Sequence, residues 1–398
     1  MSHSLYGLQA PTRPYAGGSA SAIPALLGFP VTGEPQAEMW FGAHPSAPAI
    51  VDVDGHPQRL DKFVAAHPDL GGGRPLPFLM KLLAADTPLS LQVHPDLEQA
   101  RAGFAREEAS GRAPGDPTRS FTDANHKPEI LVAITPFEAL CGFAAPEESR
   151  AVLTGLLGRE AERGTAAALL DALALPSTGR ALRAALEVIL SAGGALDQAT
   201  RAVVDAARAG IGGTGAATVR RIADAYDADP GILVALLLHR VDLAPGEAVF
   251  LGAGRLHAYL SGLGLEAMAA SDNVLRGGLT SKHVDVPGLL EVVSFTPEAP
   301  TRVVPVVSTS GGVTVHTYVA PVPEFVVHRI DAEAGRRVLS DLRGPATVVV
   351  VEGSLTFEAG TDVRRVGRGG ALFQAAGTPL TVTGTGRAYL TSGGGIHA

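Results

Sequence analysis

The sequence of 398 residues is long enough for two or three domains, and its composition excludes several classes of protein. Hydrophobic residues make up 46% and charged residues 18%, which allows a large core and rules out global disorder. The formal charge of −8 argues against a nucleic-acid or anionic-membrane partner. Gly and Pro together account for about 19% of the residues, against roughly 12% in average usage, which favours a turn-rich β architecture.

The chain contains one cysteine, Cys141, which allows neither an intramolecular disulfide nor a thiolate metal cluster. Its N-terminus has no basic region followed by an apolar stretch, so no signal peptide is predicted. The apolar run at 232–238 is far shorter than the ~20 residues that a membrane span needs. We therefore expect a soluble, cytoplasmic protein without a membrane partner. We also expect a monomer, because no long apolar surface stripe stands out.

The composition divides the chain into three regions. Residues 1–145 contain short apolar runs between Pro and Gly, which are typical of strands. Residues 146–240 carry Ala and Leu at helical spacing, and from 241 the strand pattern returns. We predict a mainly β protein with one domain formed by 1–145 and 241–320, an α-helical insertion over 146–240, and a C-terminal β domain over 321–398.

Two prolines mark expected helix starts in the central region. Pro146 is followed by Glu147 and Glu148, and acidic side chains stabilise the first turn of a helix. Asp229 stands before Pro230 and places a capping side chain ahead of a proline at the first helical position.

The segment 89–95 carries the first candidate metal ligands, Gln92 and His94. In a strand these two side chains leave the same face, so they can converge on one ion. Glu98, four residues after His94, is an alternative carboxylate ligand. We expect it to face solvent, because an amphipathic helix is predicted to begin at Pro95.

The segment 123–129, DANHKPE, is dense in side chains that ionise, hydrogen-bond or bind metals. A charged loop is the alternative interpretation. Pro128 fixes the backbone immediately before Glu129, and a strand-like apolar run follows. Glu129 is therefore a better candidate for a carboxylate ligand than Glu98.

The segment 245–262 resembles the second metal motif of cupin barrels, in which two strands joined by a tight turn present a histidine inward. Here Gly246, Gly252 and Gly254 precede His257. The next segment, 264–278, adds four polar side chains, which are Glu266, Asp272, Asn273 and Arg276. Glu266 and Asp272 have the alternative of capping the following turns.

These segments supply a mixed set of nitrogen and oxygen ligands that suits zinc, namely Gln92, His94, Glu129 and His257. The chain also has four lysines, which are Lys62, Lys81, Lys127 and Lys282. Three of them fall in or beside the four segments, which indicates positions that need a compact ammonium group. For Lys81, inside an apolar run, the alternative is a side chain that extends to the surface.

Together the segments resemble the type I phosphomannose isomerase family. The resemblance rests on AEMWFGAHPSAP, LSLQVHP, DANHKPE, GRLHAYLSGLGLEAMA and SDNVLRGGLTSKHVDV, which cover about residues 36–290. It implies a cupin-like (jelly-roll) catalytic domain, an α-helical domain and a second cupin-like domain. It also implies zinc-dependent interconversion of mannose 6-phosphate and fructose 6-phosphate through a cis-enediol, supplying mannose for GDP-mannose synthesis.

The resemblance further implies roles for individual residues. One zinc ion per chain is expected on Gln92, His94, Glu129 and His257. The expected catalytic residues are Arg276, Lys127, Glu266, Asp272 and His126, of which His126 assists opening of the sugar ring. The expected substrate-binding residues are Lys81, Ser90 and Glu38, and the expected partner is a phosphorylated hexose.

Two assignments stay open at the level of sequence. The base that moves the proton between C2 and C1 is one of Glu266, Asp272 and Lys127. The phosphate group needs charge-assisted donors, for which the candidates are Lys81, Lys127, Arg276 and Ser90. These assignments compete, because one lysine cannot serve both purposes equally well.

The chain departs from the family near its N-terminus. The family often has a Tyr-x-Trp-Gly segment there, whereas this chain has Tyr15-Ala-Gly-Gly. Two other functions are therefore weighed against the isomerase. One is a cupin-type metalloenzyme with another reaction, such as an oxygenase or epimerase, which a fourth ligand at Gln92 disfavours. The other is a zinc-containing protein that binds sugar phosphates without catalysis.

Overall fold

The computed structural model describes residues 3–342 and 345–393. Within these ranges the strands are β1 (Leu5–Gln9), β2 (Thr12–Arg13), β3 (Glu38–Phe41), β4 (Ile50–Val53), β5 (His56–Arg59), β6 (Phe78–Ala85), β7 (Leu91–Val93), β8 (Glu129–Ala133), β9 (Phe137–Phe143), β10 (Leu238–Leu243), β11 (Ala248–Leu251), β12 (His257–Ala269), β13 (Leu275–Gly278), β14 (Thr301–Arg302), β15 (Val306–Ser310), β16 (Val313–Val319), β17 (Val326–Leu339), β18 (Ala346–Ala359), β19 (Asp362–Gly367), β20 (Ala371–Gln374) and β21 (Leu380–Ser392).

The helices of the described residues lie mainly in the middle of the chain. They are α1 (Ala22–Leu27), α2 (Leu60–Ala66), α3 (Leu97–Ala109), α4 (Pro146–Leu157), α5 (Gly164–Leu173), α6 (Thr178–Ser191), α7 (Asp197–Arg208), α8 (Gly213–Tyr226), α9 (Gly231–Ala235) and α10 (Val286–Val292). Helix α4 begins at Pro146, as predicted. Among these helices, none is both long and apolar enough to cross a membrane.

The first sheet is organised around the long strand β12. Its neighbours are β6 and β8 along the second half of the strand, and β7 and β9 at its start. All these pairs are antiparallel, and β3 and β2 extend the sheet beyond β6. Because so many strands meet on β12, side chains from distant parts of the sequence come to one sheet face.

The second sheet contains most of the C-terminal residues. It runs in the order β15, β16, β17, β21, β18, β20, β1, β4 and β5, with β19 paired to β18. Strand β1 pairs with β20, so the N-terminus contributes to this sheet. The mainly β fold with a central helical region is confirmed. The domain boundaries stay a prediction, and the sheet pairings cross them at β1 and β16.

The helical region packs behind the site-bearing strands. Leu91 and Val93 of β7 share a buried apolar cluster with side chains of α4 to α9. Since side chains alternate along a strand, Gln92 between them faces the opposite side. Helix packing on one face of β7 therefore directs Gln92 into the first sheet's interior.

The interior face of the first sheet carries an apolar cluster that includes Leu131, Cys141 and Tyr259. Glu129 lies two residues before Leu131 on β8, and His257 is paired directly with Cys141. Residues two apart on a strand, or directly opposite on neighbouring strands, share a face. Polar side chains thus lie on the same buried face as this cluster, where water has little access.

Candidate metal centre and active site

His94, Glu129 and His257 converge at one end of this face. Each is only 1% exposed, and one ligand atom from each lies within 4.8 Å of the others. Nε2 of His94 is 3.3 Å from Oε1 of Glu129, and Nε2 of His257 is 3.5 Å from Oε2. Strands β7, β8 and β12 bring together residues that are far apart in sequence.

Both imidazoles are oriented by backbone carbonyl groups. Nδ1 of His94 donates to the carbonyl of Asn273 at 2.7 Å, and Nδ1 of His257 donates to that of Arg255 at 2.9 Å. Because a carbonyl only accepts, each Nδ1 carries the proton and each Nε2 presents a lone pair. Both Nε2 atoms and Oε2 of Glu129 are buried without a hydrogen-bond partner. Two nitrogens and a carboxylate held in this way fit a zinc ion.

The protonation states of these groups also suit a metal. Burial, reinforced by Lys127, lowers the pKa of His94 to about 4. Burial alone would raise the pKa of Glu129, but the net pKa lies well below the ordinary value, and the positive charge of Lys127 is the largest effect that lowers it. Nζ of Lys127 lies 3.0 Å from Oε1 of Glu129. The site therefore offers neutral imidazole and ionised carboxylate, the forms that bind a metal.

Gln92 is placed beside these three residues by strand register. It lies directly opposite His257 across β7 and β12, and opposite Arg276 across β7 and β13. Directly opposed residues have side chains on the same face. Gln92 is thus on the face that carries His257, whereas Glu98 is exposed on α3 as the sequence predicts.

A buried ion cluster lies farther along β12. Glu266 is directly opposite Lys81, and Nζ of Lys81 is 3.1 Å from Oε2 of Glu266 and 3.6 Å from Oε1 of Glu38. The phenol of Tyr259 donates to Oε1 of Glu266 at 2.8 Å, and the indole of Trp40 donates to Oε2 of Glu38 at 2.6 Å. Lys81 is 4% exposed, so its side chain does not extend to the surface.

The two carboxylates of the cluster have opposite pKa shifts. Burial raises the pKa of Glu266, and although Lys81 opposes this effect, the charges of Glu129 and Glu38 add to it. Burial also disfavours ionised Glu38, but Lys81 and the Trp40 hydrogen bond outweigh it and lower the pKa. A carboxylate with a raised pKa is suited to proton transfer near neutral pH.

Arg276 and Lys282 differ from Lys81 and Lys127, which are paired with carboxylates. Neither Arg276 nor Lys282 has an ion pair or a side-chain hydrogen bond with any residue that the structure describes. Burial lowers the pKa of Arg276. Partial burial and the nearby charges of Arg276 and Arg13 lower the pKa of Lys282. The sequence places Lys282 beside the motif segments without indicating what it binds.

The remaining predicted site residues lie around this centre. Ser90 is half-buried directly before β7. The Asp272 side chain is 44% exposed, with Oδ1 3.7 Å from Nε2 of His44. Nε2 of His126 is 2.6 Å from Oε1 of Glu324, a residue between β16 and β17. The structure therefore connects His126 to the C-terminal sheet, a contact that no local pattern in the sequence indicates.

Asn273, one of the polar side chains of the 264–278 segment, has a structural role that its local sequence does not predict. It is fully buried, and its Nδ2 donates to the carbonyls of Asp123 and Asn125, both at 2.8 Å. Its Oδ1 accepts from the backbone N–H of Thr122 at 2.7 Å, and its own carbonyl accepts from His94. Asn273 thus joins the 123–129 segment, which its side chain holds, to the candidate metal ligand His94, which its backbone carbonyl holds. The signal in the sequence was the position of Asn273 in the polar 264–278 segment.

Comparison with known proteins identifies the family. A model described as phosphomannose isomerase type I, catalytic domain, matches residues 5–145. The mannose-6-phosphate isomerase of Escherichia coli (strain K12) is 34% identical over 94% of this chain and 95% of its own length. The chain belongs to the type I phosphomannose isomerase family. The Bos taurus mannose-6-phosphate isomerase is also similar, at 32% identity over 87% of this chain and 86% of its own.

Solved structures of family members have the same fold. A phosphomannose isomerase from Salmonella typhimurium matches with a TM-score of 0.89 at 32% identity, covering 98% of this chain and all of that one. A zinc-bound mannose 6-phosphate isomerase matches with a TM-score of 0.87 at the same identity and coverage. The family membership and the fold class inferred from the sequence are both confirmed.

The Tyr15-Ala-Gly-Gly segment, where the chain departs from the family pattern, contains a glycine in an unusual backbone conformation. Gly17 has φ of +91°, a conformation that side-chain-bearing residues rarely adopt. A Cβ atom there would lie 3.0 Å from Cδ2 of Leu89 and 3.1 Å from Oγ1 of Thr87. In this phosphomannose isomerase family member, the turn after Tyr15 is therefore built for a glycine.

Proposed function

We propose that this chain is a zinc-dependent mannose-6-phosphate isomerase that interconverts mannose 6-phosphate and fructose 6-phosphate. The observation that carries the proposal is the group of buried, unpartnered atoms, namely Nε2 of His94, Nε2 of His257 and Oε2 of Glu129. The relatives that carry this name cover nearly the whole chain, and one solved relative is described as zinc-bound.

The zinc ion is assigned to His94, Glu129, His257 and, as the fourth ligand, Gln92. Zinc bound there would supply a Lewis acid for the sugar oxygens. The carbonyls that hold both Nδ1 atoms keep the imidazoles in the ligating tautomer. Lys127 holds the other oxygen of Glu129, so that one carboxylate oxygen stays free.

Glu266 is the best supported of the three candidate bases. Its pKa is raised by burial, and it is oriented by the phenol of Tyr259 and the ammonium of Lys81. Asp272 is half exposed, and Lys127 is paired with Glu129. We therefore assign to Glu266 the transfer of a proton from C2 to C1 through a cis-enediol. The ammonium of Lys81 lies next to Glu266, whose carboxylate loses its negative charge when it accepts the proton and regains it when it donates the proton.

The phosphate group is assigned to Arg276 together with Lys282. Both are cations without a carboxylate partner among the described residues, whereas Lys81 and Lys127 are neutralised by Glu266 and Glu129. A phosphate dianion is bound most strongly by donors whose charge is not already compensated. Lys81 and Glu38 then line the pocket, and Ser90 at the start of β7 adds a hydroxyl donor.

Several finer points stay predictions. They include a role of His126 in opening the sugar ring and a catalytic role of Asp272. They also include the monomeric state and the cytoplasmic location. The direction of the reaction in the cell, and the use of its product for GDP-mannose synthesis, are predictions as well.

The experiment is a coupled assay of mannose 6-phosphate conversion to fructose 6-phosphate, on protein stripped with a chelator and then refilled with zinc. We expect activity to vanish on stripping and to return with zinc. No activity in a folded, zinc-loaded sample would reject this substrate pair.

Arg276→Ala separates an isomerase from a protein that only binds sugar phosphates. We expect turnover to collapse while the zinc content stays at one ion per chain, because Arg276 holds the substrate and not the metal. Full activity in this variant would overturn the assignment of Arg276.

A further inference from the structure

We propose that Arg13 is a substrate-binding residue that holds the phosphate group together with Arg276 and Lys282. This inference rests on the proposed function and extends it to a residue outside all the motif segments. Arg13 lies on β2, the two-residue strand at the edge of the first sheet.

Strand register puts Arg13 on the active-site face. In the β2–β3 pair Arg13 lies directly opposite Glu38, and directly opposed residues share a face. Glu38 is the carboxylate that lies 3.6 Å from Nζ of Lys81. The side chain of Arg13 is therefore on the side of the sheet that carries the buried ion cluster.

Trp40 connects Arg13 to that cluster. The guanidinium carbon of Arg13 is 5.3 Å from the centre of the Trp40 rings, and Nζ of Lys81 is 4.9 Å from it. The indole is fixed by its hydrogen bond to Glu38 and is 7% exposed. A guanidinium over a fixed indole is held in place while its N–H groups remain available to a ligand.

The charges around Arg13 favour an anion. Arg13, Arg276 and Lys282 have no carboxylate partner within 4 Å among residues 3–342 and 345–393, whereas several other arginines in these ranges form ion pairs with Asp or Glu. Burial is the main cause of the lowered pKa of Lys282, and the positive charges of Arg276 and Arg13 add to it. Three uncompensated like charges repel one another unless an anion joins them, and the substrate phosphate carries two negative charges.

The test is Arg13→Gln in the zinc-loaded protein. We expect binding of mannose 6-phosphate and of inorganic phosphate to weaken about 10-fold, the size of one charge-assisted hydrogen bond. KM should rise by a similar factor while kcat stays within about twofold, because uniform binding is lost and the chemistry is not. Arg13→Lys should restore part of the affinity, and zinc content should be unchanged.

The matched control is Arg364→Gln, an exposed arginine on β19 of the other sheet, which should leave every value unchanged. If Arg13→Gln binds both ligands as tightly as the parent, the proposal is wrong. If the parent binds sugar phosphate in an Arg13-dependent way but never turns it over, the proposed isomerase activity fails and the role of Arg13 stands.

Discussion

Lys81 and Glu266 face each other across β6 and β12, with Nζ of Lys81 3.1 Å from Oε2 of Glu266 and both side chains at most 5% exposed. Among the described residues, Glu38 is the other carboxylate in contact with this ammonium. One buried positive charge thus compensates two buried negative charges, so the ammonium controls how easily either carboxylate ionises.

Replacing Lys81 should therefore shift the pH dependence of the reaction. In Lys81→Met the pKa of Glu266, already raised by burial, loses the charge that opposes the shift. A base works only when deprotonated, so activity rises with pH through its pKa, and this acid limb should move to higher pH by about one unit or more. The measurement is kcat/KM against pH, with folding checked by circular dichroism.

Lys62→Met provides the control for Lys81, because Lys62 is exposed on α2. Its pH profile should match that of the parent. An unchanged acid limb in folded, zinc-loaded Lys81→Met would show that Glu266 does not titrate in the catalytic step.

Gln92→Leu tests the fourth metal ligand. Because Gln92 lies on the same face as His257, we expect the leucine variant to fold and to bind zinc at least about 10-fold more weakly than the parent. Competition with a chromophoric chelator measures the affinity. Gln58→Leu, at an exposed position on β5, is the control. If Gln92→Leu bound zinc as tightly as the parent, Gln92 would not be a ligand, and His94, Glu129 and His257 would be the three protein ligands.

Asn273→Ala should weaken both the fold and the metal site. The substitution removes the amide that donates to the partly buried carbonyls of Asp123 and Asn125 and accepts from the Thr122 N–H, and unpaired buried groups cost about 1–3 kcal/mol each. We expect the free energy of unfolding to fall by about 2–4 kcal/mol in urea titration of the zinc-free protein. Zinc affinity should fall as well, because the segment that ends in Glu129 loses its anchor. A loss below about 0.5 kcal/mol would contradict this structural role.

The contact between His126 and Glu324 should stabilise the protein in a defined pH range. Burial alone would raise the pKa of Glu324, but the hydrogen bond from His126 outweighs it and the net shift is downward. A carboxyl group with a lowered pKa in the folded state stabilises above its ordinary value, about 4.3, and this contribution is lost as the pH falls through the lowered pKa.

Glu324→Gln, His126→Asn and the double variant measure this contact. A double-mutant cycle at pH 7 should give a coupling energy of about 0.5–2 kcal/mol, and the coupling should shrink below pH 4. Additive effects at pH 7 would mean that the contact contributes nothing to stability.

Much of the fold could be predicted from local patterns. The strand β6, the helix start at Pro146 and the capped helix α3 follow from apolar periodicity and from residues that favour helix ends. Strand pairing between distant segments could not be predicted in this way, because it depends on contacts that no local pattern encodes. The pairing of β1 with β20 at the opposite end of the chain is an example.

In the candidate site, too, local motifs predicted some residues, whereas other contacts are known only from the structure. Motif segments predicted the residues that the structure brings together at the metal centre, which are His94, Glu129 and His257. The contacts of Asn273 and Glu324, and the role proposed for Arg13, depend on partners far away in the sequence, so no local pattern predicted them. A short-range pattern describes what a side chain can do, but not which side chain it meets.

The sequence by itself therefore determined the family, the alternation that puts Gln92 and His94 on one face, and the supply of nitrogen and oxygen ligands. Only the tertiary structure decided which charges compensate one another. Lys81 and Lys127 meet carboxylates, while Arg13, Arg276 and Lys282 do not within the described chain. The physical reason is that burial and Coulomb interaction depend on distances of a few ångströms, and antiparallel strand register sets those distances between residues that the sequence keeps far apart.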